Sequence, residues 1–292
     1  MPKPDWIKTN LSATEKFRKV IQTLKTQNLH TVCSEAKCPN LNECWGSGTA
    51  TFLILGDICT RNCKFCATKT GNPMGQIDFD EPARISKAVK EMNLQYIVIT
   101  SVTRDDLEDQ GAGIFAKTVS LLKEQSPDVL VEVLVPDLHA NKDLIKLIID
   151  AGVDVFAHNV EVVRRLTPLI RDFRASYEKS LETLRLAKEL SAKTLLKSGF
   201  MIGLGETKEE IIATMEDLRN AGVDILTIGQ YLRPSNRHAE VKKFYEPREF
   251  DELREIGVKL GFKFVASGPL VRSSYRAAEF YVLTTYGKES KI

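Results

Sequence analysis

Cysteine disappears from this sequence after residue 66. All six cysteines lie between Cys33 and Cys66, and the rest of the 292-residue chain has none. Histidine is scarce too: the four histidines, His30, His139, His158 and His238, are scattered, and none lies near Cys59, Cys63 and Cys66 to complete a mixed zinc set. Nowhere do five or six like charges run together, and the formal charge of +2 leaves no electrostatic footprint of the kind nucleic acid demands. No apolar run approaches the roughly 18 residues that span a bilayer, and the N-terminus, MPKPDWIKTNLSATEKF, lacks the apolar core of a signal peptide. These absences predict a cytoplasmic protein with neither a membrane nor a nucleic-acid partner. In that reducing compartment, clustered cysteines are metal ligands or catalytic thiols rather than disulfides.

What is present is a folded composition, 43% hydrophobic and 27% charged with 11 prolines spread thinly. From Thr51 onward, short β-branched runs alternate with amphipathic helical patterns. The strand candidates begin at Thr51, Gln95, Val129, Val153, Thr194 and Ile225, each apolar in its first half and polar at its C-terminal end. Between and after them apolar residues recur at i, i+3, i+4 and i+7, and Gly152 and Gly222 stand where helix C-caps belong. Six strand-helix units require a parallel sheet with helical crossovers, and are too few for a complete eight-fold barrel. The expected fold is therefore α/β, a partial (β/α)6 TIM-like barrel, with a doubly wound sheet as the alternative. The expected organisation is residues 1–50 as an N-terminal extension, 51–262 as the barrel and 263–292 as a C-terminal extension. In either fold the active site belongs at the C-terminal strand ends, where the polar residues collect.

The second cysteine group reads Cys59-Thr-Arg-Asn-Cys63-Lys-Phe65-Cys66, a CxxxCxxC at the end of the first strand. Three thiolates this close can converge on one cluster or one ion. A structural zinc site usually closes with a fourth protein ligand, and none is nearby. Three thiolates on a four-iron cluster instead leave one iron open to a small chelating ligand. The first group, Cys33-x4-Cys38-x5-Cys44, matches neither common ferredoxin spacing. Six cysteines split three and three leave each site one sulfur short, so counting alone predicts a non-cysteine ligand for one of them.

CxxxCxxC with an aromatic before its last cysteine, following the first strand of a β/α repeat, resembles the radical S-adenosylmethionine (SAM) superfamily. Gly199-Phe-Met201-Ile-Gly203-Leu-Gly-Glu206 resembles that superfamily's GxIxGxxE strand, with Met201 in place of Ile. The Gly-Gly-Glu turn of many relatives is absent, and Thr100 to Asp106 occupies its place, leaving the contact to SAM's amino group unassigned. Taken in order, CSEAKCPNLNEC, CTRNCKFC and RSSYRA resemble the lipoyl synthase family over a span from Pro4-Asp5-Trp6 to the last helix.

That resemblance implies two [4Fe-4S] clusters. Cys59, Cys63 and Cys66 would hold the one that cleaves SAM, and Cys33, Cys38, Cys44 and Ser273, the first serine of RSSY, the auxiliary one. It implies sulfur insertion at C6 and then C8 of an octanoyl chain on a lysine, with a radical abstracting each hydrogen and the auxiliary cluster giving up its sulfur. Implied partners are octanoylated lipoyl domains or glycine-cleavage H protein, an electron donor such as flavodoxin or ferredoxin, and a cluster-repair protein. Phe65, Asn159, Glu161, Lys197, Ser198, Met201 and Tyr231, with Gln230 and Arg233, are candidates for the SAM and substrate pocket by their place at strand ends. Asp105 and Asp106 are expected to cap a helix, and His238 to sit in a surface loop. Methylthiotransferases also carry extra N-terminal cysteines, but only 58 residues precede Cys59 and no basic module follows the barrel. Biotin synthase shares the chemistry without the first cysteine group. A ferredoxin-like carrier or metal-binding scaffold needs neither a barrel this large nor an open iron.

Overall fold

The computed structural model describes residues 3–7, 14–36, 38–46 and 50–274, together with Val282 and Thr285. Tyr275, Arg276 and Ala277 of the RSSYRA motif lie outside the described residues.

The six expected units are present in order. The strands are β1 (Thr51–Ile54), β2 (Tyr96–Ser101), β3 (Leu130–Leu134), β4 (Val155–Ala157), β5 (Leu195–Ile202) and β6 (Ile225–Gln230). Their principal helices are α1 (Glu81–Met92), α2 (Ala112–Gln125), α3 (Lys142–Asp150), α4 (Tyr177–Leu190), α5 (Lys208–Asn220) and α6 (Pro247–Lys259). All neighbouring strands from β1 to β6 pair parallel. The repeat then runs one strand beyond the expected barrel boundary, because β7 (Phe264–Gly268) pairs parallel with β6 in the same sheet. The C-terminal extension thus starts inside the sheet, and the short Phe264–Gly268 run gave no seventh helical unit to mark it.

Local signals mark the bounds of two of these helices. Thr207 and Glu210 form a reciprocal capping box at the head of α5. The residue after its C-cap, Gly222, has φ +89°, which β-carbon-bearing residues avoid. Helix α1 carries Pro82 in its first turn and buries Ile85, Ala88 and Val89 on one face.

The sheet is open, and its first edge is covered. His30–Thr31 pairs antiparallel with β1, so the N-terminal segment shields backbone groups that would otherwise face solvent. Helix Glu15–Thr26 lies against the short helix Leu41–Gly46, with the Phe17 and Trp45 rings 5.6 Å apart. The two termini also meet: Asn40 Nδ2 donates to the Leu270 carbonyl at 2.6 Å. Val282 is fully buried with Tyr96, Val98, Val155, Leu195 and Ile225, mostly from the first halves of strands. The C-terminal extension therefore helps fill one end of the barrel, leaving the strands' C-terminal ends to line a cavity.

Candidate functional site

A cavity of about 490 Å³ opens at the C-terminal strand ends and is lined by Cys38 of the first triad and by all of Cys59, Cys63 and Cys66. A smaller cavity of about 40 Å³ adjoins it, lined by Cys33, Cys38, Cys44 and Ser274. Val32, Cys38, Arg272 and Ser274 belong to both, so the two triads border neighbouring cavities that share a wall. None of the six cysteines is in a disulfide. Among the described residues no three His, Cys, Asp or Glu side chains close on a point as around a single metal ion. The thiols border space instead, which suits a larger inorganic group.

Local structure fixes the 59–66 loop firmly. Arg61, between the first two cysteines, is buried and donates to Asp137 at 2.6 and 3.0 Å and to Asp105 at 2.8 Å. Burial pushes the Asp137 carboxyl up, but its hydrogen bonds from Arg61 and the guanidinium charge outweigh that and hold it far below the carboxylate range. Thr60 Oγ1 donates to Asp105, the Asn62 amide to Asp172 at 2.8 Å, and Arg174 to the Thr60 carbonyl at 2.5 Å. Two amides reach sulfur directly: Arg61 N to Cys59 Sγ at 3.4 Å and Asp172 N to Cys63 Sγ at 3.3 Å. The Asp172 amide stabilises the thiolate form of Cys63 against the opposing effect of burial.

Burial raises the pKa of Cys33, Cys38, Cys63 and Cys66, with Cys63 pushed up to about 11. Without a cation these thiols keep their protons near neutral pH; iron ligation would displace them. Polar atoms around the cavity also fit a polar ligand. His158 Nε2, Asn159 Oδ1, Ser101 Oγ and Arg171 Nε are buried without a hydrogen-bond partner, and all four residues line the cavity. The His158 ring holds Nδ1 at 2.9 Å from the Val135 carbonyl, and burial depresses its pKa to about 4. It is therefore a neutral imidazole with Nδ1 protonated and Nε2 a bare acceptor. Glu161 has φ +68° and a carboxyl raised by burial, partly offset by the Arg171 charge.

Of the residues expected in the pocket, Phe65, Asn159, Glu161, Met201, Gln230, Tyr231 and Arg233 line the cavity. The Gln230 amide is spent on the Lys243 carbonyl and Tyr245 amide, and Arg233 on the His238 and Asn236 carbonyls. Lys197 and Ser198 do not belong there. Lys197 is 2.7 Å from Glu132 in a buried ion pair, with Tyr96 donating to the same carboxylate, low in the barrel. Strand β5 is eight residues long, so its third residue lies well below the end that meets the cavity.

The expectation for Ser273 is corrected as well. Its Oγ accepts from Asn159 Nδ2 at 2.6 Å on the SAM-cavity side, whereas Ser274 borders the first cysteine triad. Asp105 anchors the cysteine loop rather than capping a helix, and Asp106 pairs with Arg104 at 2.8 Å. His238 does sit in a loop, but its Nε2 lies 2.9 Å from the Cys66 carbonyl, so it too steadies the cysteine loop. Sequence reasoning missed Arg61, Asp137, His158, Arg171, Asp172 and Arg174. Arg61 alone carried a signal, being a cation between two closely spaced cysteines.

Gly229 shows why the C-terminal segment can lie across β6: a β-carbon there would come within 2.2 Å of the Val271 carbonyl. Gly203 of the GxIxGxxE-like strand has φ +110°, and Glu206 accepts from the Gly203 amide at 2.5 Å and the Leu204 amide at 2.9 Å to close that turn.

The fold has counterparts among solved structures. Methylornithine synthase superposes with a TM-score of 0.56 at 14% identity, covering 90% of this chain and 80% of that one. The FeFe-hydrogenase maturase HydG from Carboxydothermus hydrogenoformans gives 0.54 at 13%, covering 92% and 78%. Residues 53–218 match the family model for the radical SAM superfamily, so an open barrel carrying CxxxCxxC defines a radical SAM enzyme, with a [4Fe-4S] cluster and SAM as its cofactors. Residues 2–38 match the N-terminal domain of lipoyl synthase. Curated lipoyl synthases of Deinococcus radiodurans, 52% identical over 95% of this chain and 84% of that protein, and of Pyrobaculum aerophilum, 54% over 95% and 96%, extend the match almost end to end. The chain belongs to the lipoyl synthase family.

Proposed function

We propose that this chain inserts two sulfur atoms, at C6 and then C8, into an octanoyl chain held in amide linkage to a lysine of a carrier protein, with an auxiliary [4Fe-4S] cluster as sulfur source. The observation that carries this reading is the pair of neighbouring cavities, one beside each cysteine triad, with Cys38, Arg272 and Ser274 in the wall between them. Groups held by Cys59, Cys63 and Cys66 and by Cys33, Cys38 and Cys44 would lie on either side of that wall, near enough for one bound acyl chain to be positioned against both.

Bound there, the cofactors supply a carbon radical able to take hydrogen from an unactivated C–H bond, and sulfide to replace it. The protein's residues do the positioning. Cys59, Cys63 and Cys66 are the ligands of the SAM-cleaving cluster; Cys33, Cys38 and Cys44 are those of the auxiliary one, with Ser274 in the place first expected of Ser273. A serine oxygen is a harder and weaker partner for such a cluster than a thiolate, which suits a ligand that must let go. Asn159, Glu161, His158 and Arg171 offer acceptors and a donor to the polar groups of SAM, beside Phe65, Met201 and Tyr231. Leu53, Val102, Phe200 and Leu232 offer an apolar wall for the octanoyl chain.

The partners proposed are an octanoylated lipoyl domain or glycine-cleavage H protein, a flavodoxin- or ferredoxin-type donor and a cluster-repair protein, in the cytoplasm. Among the described residues no helix is long and apolar enough to cross a membrane. The test is anaerobic incubation of the reconstituted protein with SAM, dithionite and an octanoyl-lysine peptide. Mass spectrometry should find the peptide heavier by two sulfurs; 5′-deoxyadenosine with unmodified peptide would leave radical SAM chemistry standing and remove this substrate.

A further inference from the structure

The cysteine loop that borders the cavity also comes to the surface on its far side. Asn62 and Lys64 are exposed, and two segments flank them. On one side the Lys64 amide donates to the Ile170 carbonyl at 2.8 Å and the Asp172 amide to Cys63 Sγ at 3.3 Å. On the other, Ala239 N donates to the Lys64 carbonyl at 2.8 Å. The flanking segments present Leu169, 54% exposed, Phe173, 88% exposed, and Arg237, also exposed. None of these five side chains lines the cavity.

We propose that Asn62, Lys64, Leu169, Phe173 and Arg237 form the docking face for an acidic one-electron carrier protein whose redox group lies at its surface. The proposal rests on the radical SAM reading, which requires one electron from outside for each SAM cleaved. The carrier is oxidised by one electron and the cluster on Cys59, Cys63 and Cys66 reduced by one; no bond forms or breaks.

Several observations favour this occupant. Electron transfer falls steeply with distance, and here the loop that carries the ligand cysteines is itself at the surface. Phe173 follows Asp172, whose amide reaches Cys63 sulfur, so a group resting on that ring is separated from the ligand by one residue. Lys64 and Arg237 have no carboxylate partner among the described residues, whereas the nearby Asp105 and Asp172 are each paired with arginine. The patch is thus apolar with uncompensated positive charge, complementary to an acidic surface. Lying off the cavity, it also leaves the cavity free for the acyl chain while the carrier is bound.

The test compares the cluster-loaded protein with its Arg237→Glu and Phe173→Ser variants, using flavodoxin as probe. Affinity for oxidised flavodoxin, read by NMR line broadening and needing no turnover, should weaken with added salt and fall about tenfold or more in each variant. SAM cleavage driven by reduced flavodoxin should fall alongside it, while cleavage driven by dithionite, which needs no docking, stays unchanged. Unaltered flavodoxin affinity in both variants, or an equal loss with dithionite, would overturn the proposal. So would a defect confined to octanoylated carrier domain and absent with octanoyl peptide, which would assign the face to the substrate's carrier. No cleavage with dithionite in the unaltered protein would instead count against the radical SAM reading itself.

Discussion

Ser273 and Ser274 differ by one position and face different chemistry. The first is tied to Asn159 at 2.6 Å and the second borders Cys33, Cys38 and Cys44. Motif order pointed to this pair, but adjacent residues in a turn project in different directions, and no spacing rule says which meets the thiols. Ser274→Ala should lower the iron content from roughly eight to roughly four atoms per chain while SAM cleavage persists, whereas Ser273→Ala should retain roughly eight. Iron and sulfide analysis of anaerobically purified variants decides between them. His158 was less legible, because a lone histidine after a strand carries no sign of being neutral and half-partnered. Its folded pKa of about 4 lies below the ordinary 6.5, so its contribution to stability is complete above pH 6.5 and is lost as pH falls through that window. The full loss amounts to about 3 kcal/mol. The thermal midpoint of His158→Gln should therefore fall less between pH 6.5 and 4 than that of the unaltered protein; parallel profiles would contradict a buried neutral imidazole.

At the scale of elements, the repeat was legible because period-2 runs alternate with 3.6-residue patterns, and because glycines such as Gly222 stop the helices where they should. Depth along a strand was not. Lys197 looks like a polar residue near a strand's end, yet it belongs to a buried trio with Glu132 and Tyr96. Removing one member leaves a buried charge unpaired, a cost of about 3 to 5 kcal/mol. Lys197→Met should be destabilised by about that much in thermal or denaturant unfolding, and Lys197→Met with Glu132→Gln should recover much of it. No recovery in the double variant would show that Lys197 matters for something besides pairing. The cysteine loop follows the same logic in reverse. Its cysteines stand out by their spacing, but Asp105, Asp137 and Asp172 come from three distant loops, and nothing local announces that they converge on residues 60–63.

For the whole molecule, the two appendages do what the barrel alone cannot. The N-terminal segment covers the open edge and delivers Cys33, Cys38 and Cys44; the C-terminal one contributes a seventh strand, lays Val271 to Ser274 over β6, and returns Val282 to fill the barrel's other end. Asn40, between two of the first triad's cysteines, binds the Leu270 carbonyl, so both appendages close around the same corner of the cavity. If the triad beside the smaller cavity holds the sulfur source for a chain bound in the larger one, isotope tracing will follow that sulfur into product. The protein is reconstituted with ³⁴S-sulfide, freed of excess sulfide, and given octanoyl-lysine peptide, SAM and dithionite for a single turnover. Two ³⁴S atoms should appear in each product molecule, with about half of the iron released. Product carrying ordinary sulfur from the medium, or heavy sulfur in Cys38→Ala protein as abundant as in the unaltered one, would contradict that sulfur source.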